Sequence, residues 1–189
     1  MIPPFLLLKE NFLSSKFCDY SIKFFELNDR LHRPGMAGSG VDDISLIDTE
    51  LKLNFSNQES LSKKLWEYID ELLMEYVELN PCLNKIGHWE IHDTFQIQKY
   101  NPGEGYFGEH CEHGSSSLGK KISDRVMSWI VYLNDVDDGG ETRFPQYDFN
   151  VKSKKGSIII FPAGWTHMHH GIVSNTQSKY LITGWCCYV

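Results

Sequence analysis

The stretch that decides the fold is Tyr100–Asp138, YNPGEGYFGEHCEHGSSSLGKKISDRVMSWIVYLNDVDD. At its centre stands His110-Cys111-Glu112. Side chains on an extended strand alternate with a period of two, so His110 and Glu112 are expected on one face and Cys111 and His113 on the other. One imidazole nitrogen and one hard carboxylate oxygen on a shared face are two thirds of the 2-His-1-carboxylate facial triad that holds non-haem Fe(II) in oxygenases. The third ligand is expected from a distant strand, and WTHMHH, Trp165–His170, can supply it. His167 and His169 share a face of an extended segment while His170 points away, so spacing leaves both His167 and His169 open.

Outward from this stretch the C-terminal half reads as strands. Trp89–Tyr100 (WEIHDTFQIQKY) alternates, and Asn101–Gly105 is a turn. Asp124–Asn134 is an apolar, β-branched and aromatic run; Asp135–Gly140 is a tight turn; Glu141–Pro145 is a short strand. Asn150–Lys155 leads to the buried strand Gly156–Pro162, and Lys179–Val189 closes the chain as a last strand. The N-terminal half is different. Phe5–Leu8 reads as a first, buried strand, and Asn11–Asn28 as a helix capped by Ser14 or Ser15. Asp29–Val41 is a Gly-rich loop, with Pro34–Gly40 a candidate lid. A short strand is expected around Ile44, Leu46 and Ile47. Ser56–Asn80 is the clearest helix, with Ser56 as N-cap and Glu59 completing a capping box. Helices followed by six or more closely spaced strands predict an α+β, mainly β fold: a jelly-roll or sandwich supported by N-terminal helices. The expectation is a single domain over residues 1–189, with helical support and lid in 1–88 and the barrel core in 89–189.

Composition narrows the function classes. A formal net charge of -7 argues against a broad nucleic-acid or anionic-membrane surface. The apolar start is too short to span a bilayer and lacks a basic flank and a cleavage site. Five cysteines without regular spacing (Cys18, Cys82, Cys111, Cys186, Cys187) read as reduced thiols, which sets the expectation of a cytoplasmic protein.

Read together, the motifs run Y-N-P-G-E-G-Y…H-x-E, R-V…Y-L-N-D, G-G-E-T-R-F-P, K-K-G-S-I-I-I-F-P and H-x-G…K-Y…T-x-W. In that order and spacing the chain resembles the prolyl 4-hydroxylase type of Fe(II)/2-oxoglutarate dioxygenases over about residues 97–187. The resemblance implies a double-stranded β-helix, with Fe(II), 2-oxoglutarate and O2 as reaction partners, ascorbate as a candidate reductant, and a peptide, protein or small-molecule substrate. It also implies the ligand set His110, Glu112 and His169, because such enzymes place the distal histidine about ten residues before the basic residue that binds 2-oxoglutarate. Here that residue is Lys179, with His167 as the fallback ligand. The family usually has H-x-D; Glu112 is one methylene longer and keeps the anionic oxygen.

On the last strand Lys179, Leu181, Thr183 and Trp185 share a face, and a lysine beside Leu and Trp is poorly explained by solvent exposure. By analogy Lys179 binds the 5-carboxylate of 2-oxoglutarate, assisted by Thr183 and Tyr132, with Tyr100 and Tyr106 near the cosubstrate and the substrate entrance. Arg125 and Arg143 are further candidate carboxylate partners, Arg143 fitting better as a solvated rim charge. Two competing readings are a non-catalytic cupin-like module that binds metal or carbohydrate, and a zinc hydrolase using His110-Cys111-Glu112-His113. The second is disfavoured because alternation splits those four residues between two faces.

Overall fold

The computed structural model describes residues 2–35, 45–57, 60–113 and 124–189. Along the chain run β1 (Leu7–Lys9), α1 (Ser15–Leu27), β2 (Arg33–Pro34), β3 (Leu46–Ile47), β4 (Thr49–Asn54), α2 (Ser60–Leu79), β5 (Trp89–Tyr100), β6 (Gly105–Tyr106), β7 (Arg125–Tyr132), β8 (Thr142–Phe144), β9 (Phe149–Val151), β10 (Ile158–Pro162), β11 (His170–Gly171) and β12 (Lys179–Tyr188). They form a seven-stranded sheet ordered β1-β10-β7-β12-β5-β4-β2, a three-stranded sheet β11-β8-β9 and the pair β3-β6. All strand pairs are antiparallel. This is the double-stranded β-helix expected from the sequence.

The period of two gives the large sheet two unlike faces. Phe95, Ile97, Trp129, Val131, Ile158, Ile160 and Ile182 pack against the apolar stripes of both helices: Phe17 and Phe25 of α1, and Leu61, Leu65, Ile69 and Leu72 of α2. The alternate residues Tyr100, Ile130, Tyr132, Ile159, Phe161 and Leu181 face the barrel interior, where Phe144 and Val151 of the small sheet close over them. One face therefore anchors the fold, and the other is free to carry a site.

Several local expectations shift. The N-cap of α1 is Ser14, whose hydroxyl accepts from the Phe17 N–H at 3.3 Å. The second helix begins at Ser60, not Ser56. Asp93 of β5 takes both the Ser56 N–H (2.8 Å) and its hydroxyl (2.9 Å), so residues 55–57 form a 3-10 turn pinned to the sheet. Glu59, Ile44 and residues 36–40 of the proposed lid lie outside the described residues. The first strand starts two residues late. Phe5 has a left-handed backbone (φ 61°) and a largely exposed ring, while its carbonyl accepts from the Tyr76 hydroxyl at 2.6 Å. The first 88 residues also do more than support, because β1, β4 and β2 complete the large sheet at its two edges.

Candidate metal and cosubstrate site

The expected strand through His110 and Glu112 is reduced to one bridge. His110 pairs with His169 through reciprocal backbone bonds, His110 N–H to His169 O at 3.0 Å and His169 N–H to His110 O at 2.9 Å. The chain then bends, and the Glu112 and His113 N–H groups both donate to the Ala163 carbonyl. The geometry that joins these residues is thus a bridge plus a bend, not strand alternation. The outcome is a cluster in which the ligand atoms of His110, Glu112 and His169 all lie within 4.8 Å of one another.

The donor chemistry of this cluster fits a divalent metal. His110 Nδ1 lies 2.9 Å from the Gly108 carbonyl and His169 Nδ1 lies 3.0 Å from the His167 carbonyl. A carbonyl only accepts, so in both rings Nδ1 carries a hydrogen, which leaves Nε2 as the atom that can ligate a metal. His169 Nε2 faces Glu112 Oε1 at 3.6 Å. The other carboxylate oxygen, Oε2, is held by Arg125 at 2.7 Å and by the Trp185 indole N–H at 2.7 Å. Arg125 in turn lies over the Trp185 ring, 3.8 Å from its centroid. Burial lowers the His110 pKa to about 4, aided by repulsion from His169, so the ring is neutral. Burial pushes the Glu112 carboxyl upward, but the contact with His169 and the charge of Arg125 outweigh it and hold the group far below the usual carboxylate range. A neutral His110 ring and an ionised Glu112 carboxylate suit a hard-to-borderline divalent ion.

His167 is elsewhere. It ends the 3-10 turn Trp165–His167 and its Nε2 contacts the Pro4 carbonyl at 2.9 Å. The fallback ligand is therefore tied to the N-terminal segment and stands outside the cluster. Cys111 donates to the His113 carbonyl, and the His113 ring contacts the Arg125 carbonyl. Among the described residues neither joins a group of three or more metal-binding side chains, which removes the four-ligand zinc arrangement. Tyr106 stacks on His110, with centroids 3.7 Å apart and planes 12° apart.

A cavity of about 420 Å³ connects this cluster to Lys179, Thr183 and Tyr100. Lys179 is 6% exposed, and burial lowers its pKa to about 8 against the opposing charge of Glu141. Its Nζ lies 5.7 Å from the Tyr100 ring and 5.6 Å from the Tyr132 ring. Among the described residues no carboxylate comes within ion-pair distance of it. A buried ammonium between two aromatic rings, open to a cavity, is a receptor for an anion. The Tyr132 hydroxyl donates to Thr142 at 2.7 Å, which fixes its ring beside that ammonium, and Thr183, which lines the same cavity, donates to the Trp129 carbonyl at 3.2 Å. Arg143 is committed at the rim to Asp148 (2.6 Å) and Asn150 (2.9 Å).

Sequence reasoning missed two parts of the cavity. One is the Arg125–Trp185 clamp on Glu112. The other is a polar wall of Glu50, Lys52, Gln96 and Gln98 on β4 and β5. The signal for the wall is present in FQIQKY, where Gln96 and Gln98 alternate with the buried Phe95 and Ile97.

Comparison with known proteins agrees with this geometry. The family model of the 2OG-Fe(II) oxygenase superfamily matches residues 95–187. Prolyl 4-hydroxylase 13 of Arabidopsis thaliana is 28% identical over 118 residues, covering 51% of this chain and 43% of its own length. The chain spans about half or less of the curated relatives it matches. The viral collagen prolyl hydroxylase of Paramecium Bursaria Chlorella virus-1, solved as a 2OG complex, superposes with a TM-score of 0.73 at 22% identity, over 98% of this chain and 97% of that one. A prolyl hydroxylase from Trichoplax adhaerens, in complex with a hypoxia inducible factor peptide fragment, gives 0.71 at 17% identity, over 96% and 83%. With the ordered motifs, the β-helix and the match over residues 95–187 in agreement, the chain is similar to the 2OG-Fe(II) oxygenase superfamily, and to prolyl 4-hydroxylases among its members.

Proposed function

We propose that this chain is a 2-oxoglutarate-dependent hydroxylase that inserts one oxygen atom of O2 into an unactivated C–H bond, with a prolyl residue of a peptide or protein as the leading substrate. The observation that carries the reading is one cavity joining a 2-His-1-carboxylate cluster to a buried, unpaired lysine. In this reading His110, Glu112 and His169 hold Fe(II), and Lys179, assisted by Thr183, Tyr132 and Tyr100, holds the 5-carboxylate of 2-oxoglutarate. Bound iron would supply O2 activation, coupled to conversion of 2-oxoglutarate to succinate and CO2.

The protein's own part is positional. The Nδ1 contacts to Gly108 and His167 fix the plane of each imidazole. Arg125 and Trp185 occupy Glu112 Oε2 and leave Oε1 to the metal side. Lys179 sets the orientation of the cosubstrate from its far end. Ascorbate as reductant belongs to the proposal as well. A non-catalytic binding module gains no support here, since such a module has no use for the buried ammonium. The test is succinate release from 2-oxoglutarate by the iron-loaded protein, with mass analysis of proline-containing peptides for the gain of one oxygen. Absence of iron-dependent succinate, even without a peptide, overturns the reading.

A further inference from the structure

The β4–β5 wall of the cavity carries a deficit of hydrogen-bond donors. Glu50 is 3% exposed and Asp48 is 8% exposed. A single amide nitrogen, Gln98 Nε2, donates to both, at 3.1 Å to Glu50 Oε1 and 2.9 Å to Asp48 Oδ2. The Tyr100 hydroxyl also reaches the Asp48 carboxylate. Glu50 Oε2 and Asp48 Oδ1 are buried and receive no hydrogen bond from the described residues. Lys52 offers a cation, but its Nζ is 3.9 Å from Glu50 Oε2, beyond hydrogen-bond reach, on a half-exposed side chain. Buried carboxylate oxygens without donors are costly, and the cost falls when a cation arrives.

We propose that Glu50, backed by Asp48 and Gln98, is a subsite for a cationic group, an ammonium or guanidinium, carried by the substrate. The proposal rests on the reading of this cavity as the place where substrate meets the metal cluster. Strand register puts the subsite on the same inner surface as the cosubstrate lysine: Glu50 pairs with Gln98, and Gln98 with Leu181, one inward position from Lys179. Glu50, Gln98, His110, His169 and Lys179 line one continuous space. Burial first, then repulsion from Glu50, raises the Asp48 pKa to about 8, as expected for an acidic pair that lacks its counter-ion. A second metal is a poorer occupant, because among the described residues the only cluster of three or more metal-binding side chains is His110, Glu112 and His169. Anions are excluded by charge. The subsite therefore selects a basic substrate: a peptide with a lysine or arginine near the target residue, or a free basic amino acid.

Calorimetry on the protein loaded with Mn(II) and 2-oxoglutarate tests this with charge isosteres. One proline-containing peptide would be made with arginine or citrulline, and with lysine or norleucine, beside the target; the four free amino acids form a second set. The charged member of each pair is expected to bind about 10-fold or more tighter than its neutral partner, the scale of a buried charged hydrogen bond. Glu50→Gln should erase that preference. Preference among peptides only identifies a peptide substrate; preference among free amino acids identifies a small one; both support the subsite. Equal binding of charged and neutral probes, or binding of neither, overturns it and leaves the free oxygens to water. The wild-type comparison needs no variant, so a misfolded Glu50→Gln does not blunt the test. Succinate release by the wild type without substrate checks the parent reading on its own.

Discussion

At the scale of single residues, the two histidines in WTHMHH separate by what their Nε2 atoms face. His169 Nε2 faces Glu112, and His167 Nε2 is spent on the Pro4 carbonyl. His169→Ala is therefore expected to weaken Mn(II) or Fe(II) binding by more than about 100-fold, beyond the 10–100-fold typical of losing a group that only supports a ligand. His167→Ala should leave metal affinity within about 3-fold while lowering stability, since it loses a buried hydrogen bond. A metal titration with equal losses in both variants contradicts the assignment. The sequence could pair His110 with Glu112 but could not choose the third ligand without a family spacing, because alternation treats residues 167 and 169 alike. What separates them is a 3-10 turn ending at His167, which no periodicity announces. Asp48 adds a pH effect. Its pKa, raised to about 8 by burial and by Glu50, means the folded state binds the proton more tightly than the unfolded chain does. Stability from this group is complete below the ordinary carboxylate range and is lost as pH rises towards 8. Asp48→Asn should thus melt higher than wild type at pH 8, by at least about 2–4 °C for about 1 kcal/mol, and match it near pH 4. Parallel melting curves across that range would contradict the raised pKa.

At the scale of elements, the long strands and both helices were legible because each repeats its pattern often enough to be read. β5 alternates over much of its length, β12 is a long, largely buried run, and α2 shows an apolar stripe through Leu61, Leu65, Ile69, Leu72 and Tyr76. The two-residue strands β2, β6 and β11 were not, because a pairing that short has no period. The start of α2 was misplaced for another reason: Ser56 has the right chemistry for an N-cap, yet Asp93, distant in sequence, claims it. The polar wall of β4 and β5 stayed unread because its meaning depends on which strand lies beside which. Since α2 packs on the outer face of the sheet and the site occupies the inner one, core damage and site damage should separate. Ile69→Ala removes a fully buried side chain and is expected to cost about 2–5 kcal/mol. That lowers Tm by roughly 5–15 °C, while metal affinity measured well below the transition stays within about 3-fold. Loss of metal binding in the folded variant would mean that the two faces are coupled.

At the scale of the whole molecule, the sheet divides its labour. Its outer face is apolar and closed; its inner face buries Glu50 and Lys179 at a cavity that Glu112 also lines. Buried charges without full partners detract from stability, so a ligand that supplies the missing partner should stabilise the fold as well as occupy the site. A ligand at about 100 times its Kd contributes about 2.7 kcal/mol, or roughly 5–10 °C for a chain of this size. Mn(II) with 2-oxoglutarate should produce such a rise. 2-Oxobutyrate keeps the carboxylate and 2-oxo group that would face the metal but lacks the distal carboxylate, so it cannot engage Lys179 and should give a much smaller shift. Lys179→Ala should remove the difference between the two acids by lowering the 2-oxoglutarate shift to the 2-oxobutyrate level. The variant itself should melt no lower than wild type without ligand, because it discards an ammonium that burial already destabilises. Equal shifts from the two acids in the wild-type protein would show that the lysine at the far end of the cavity does not hold the cosubstrate, and the division of the sheet into a structural face and a ligand-completed face would have to be redrawn.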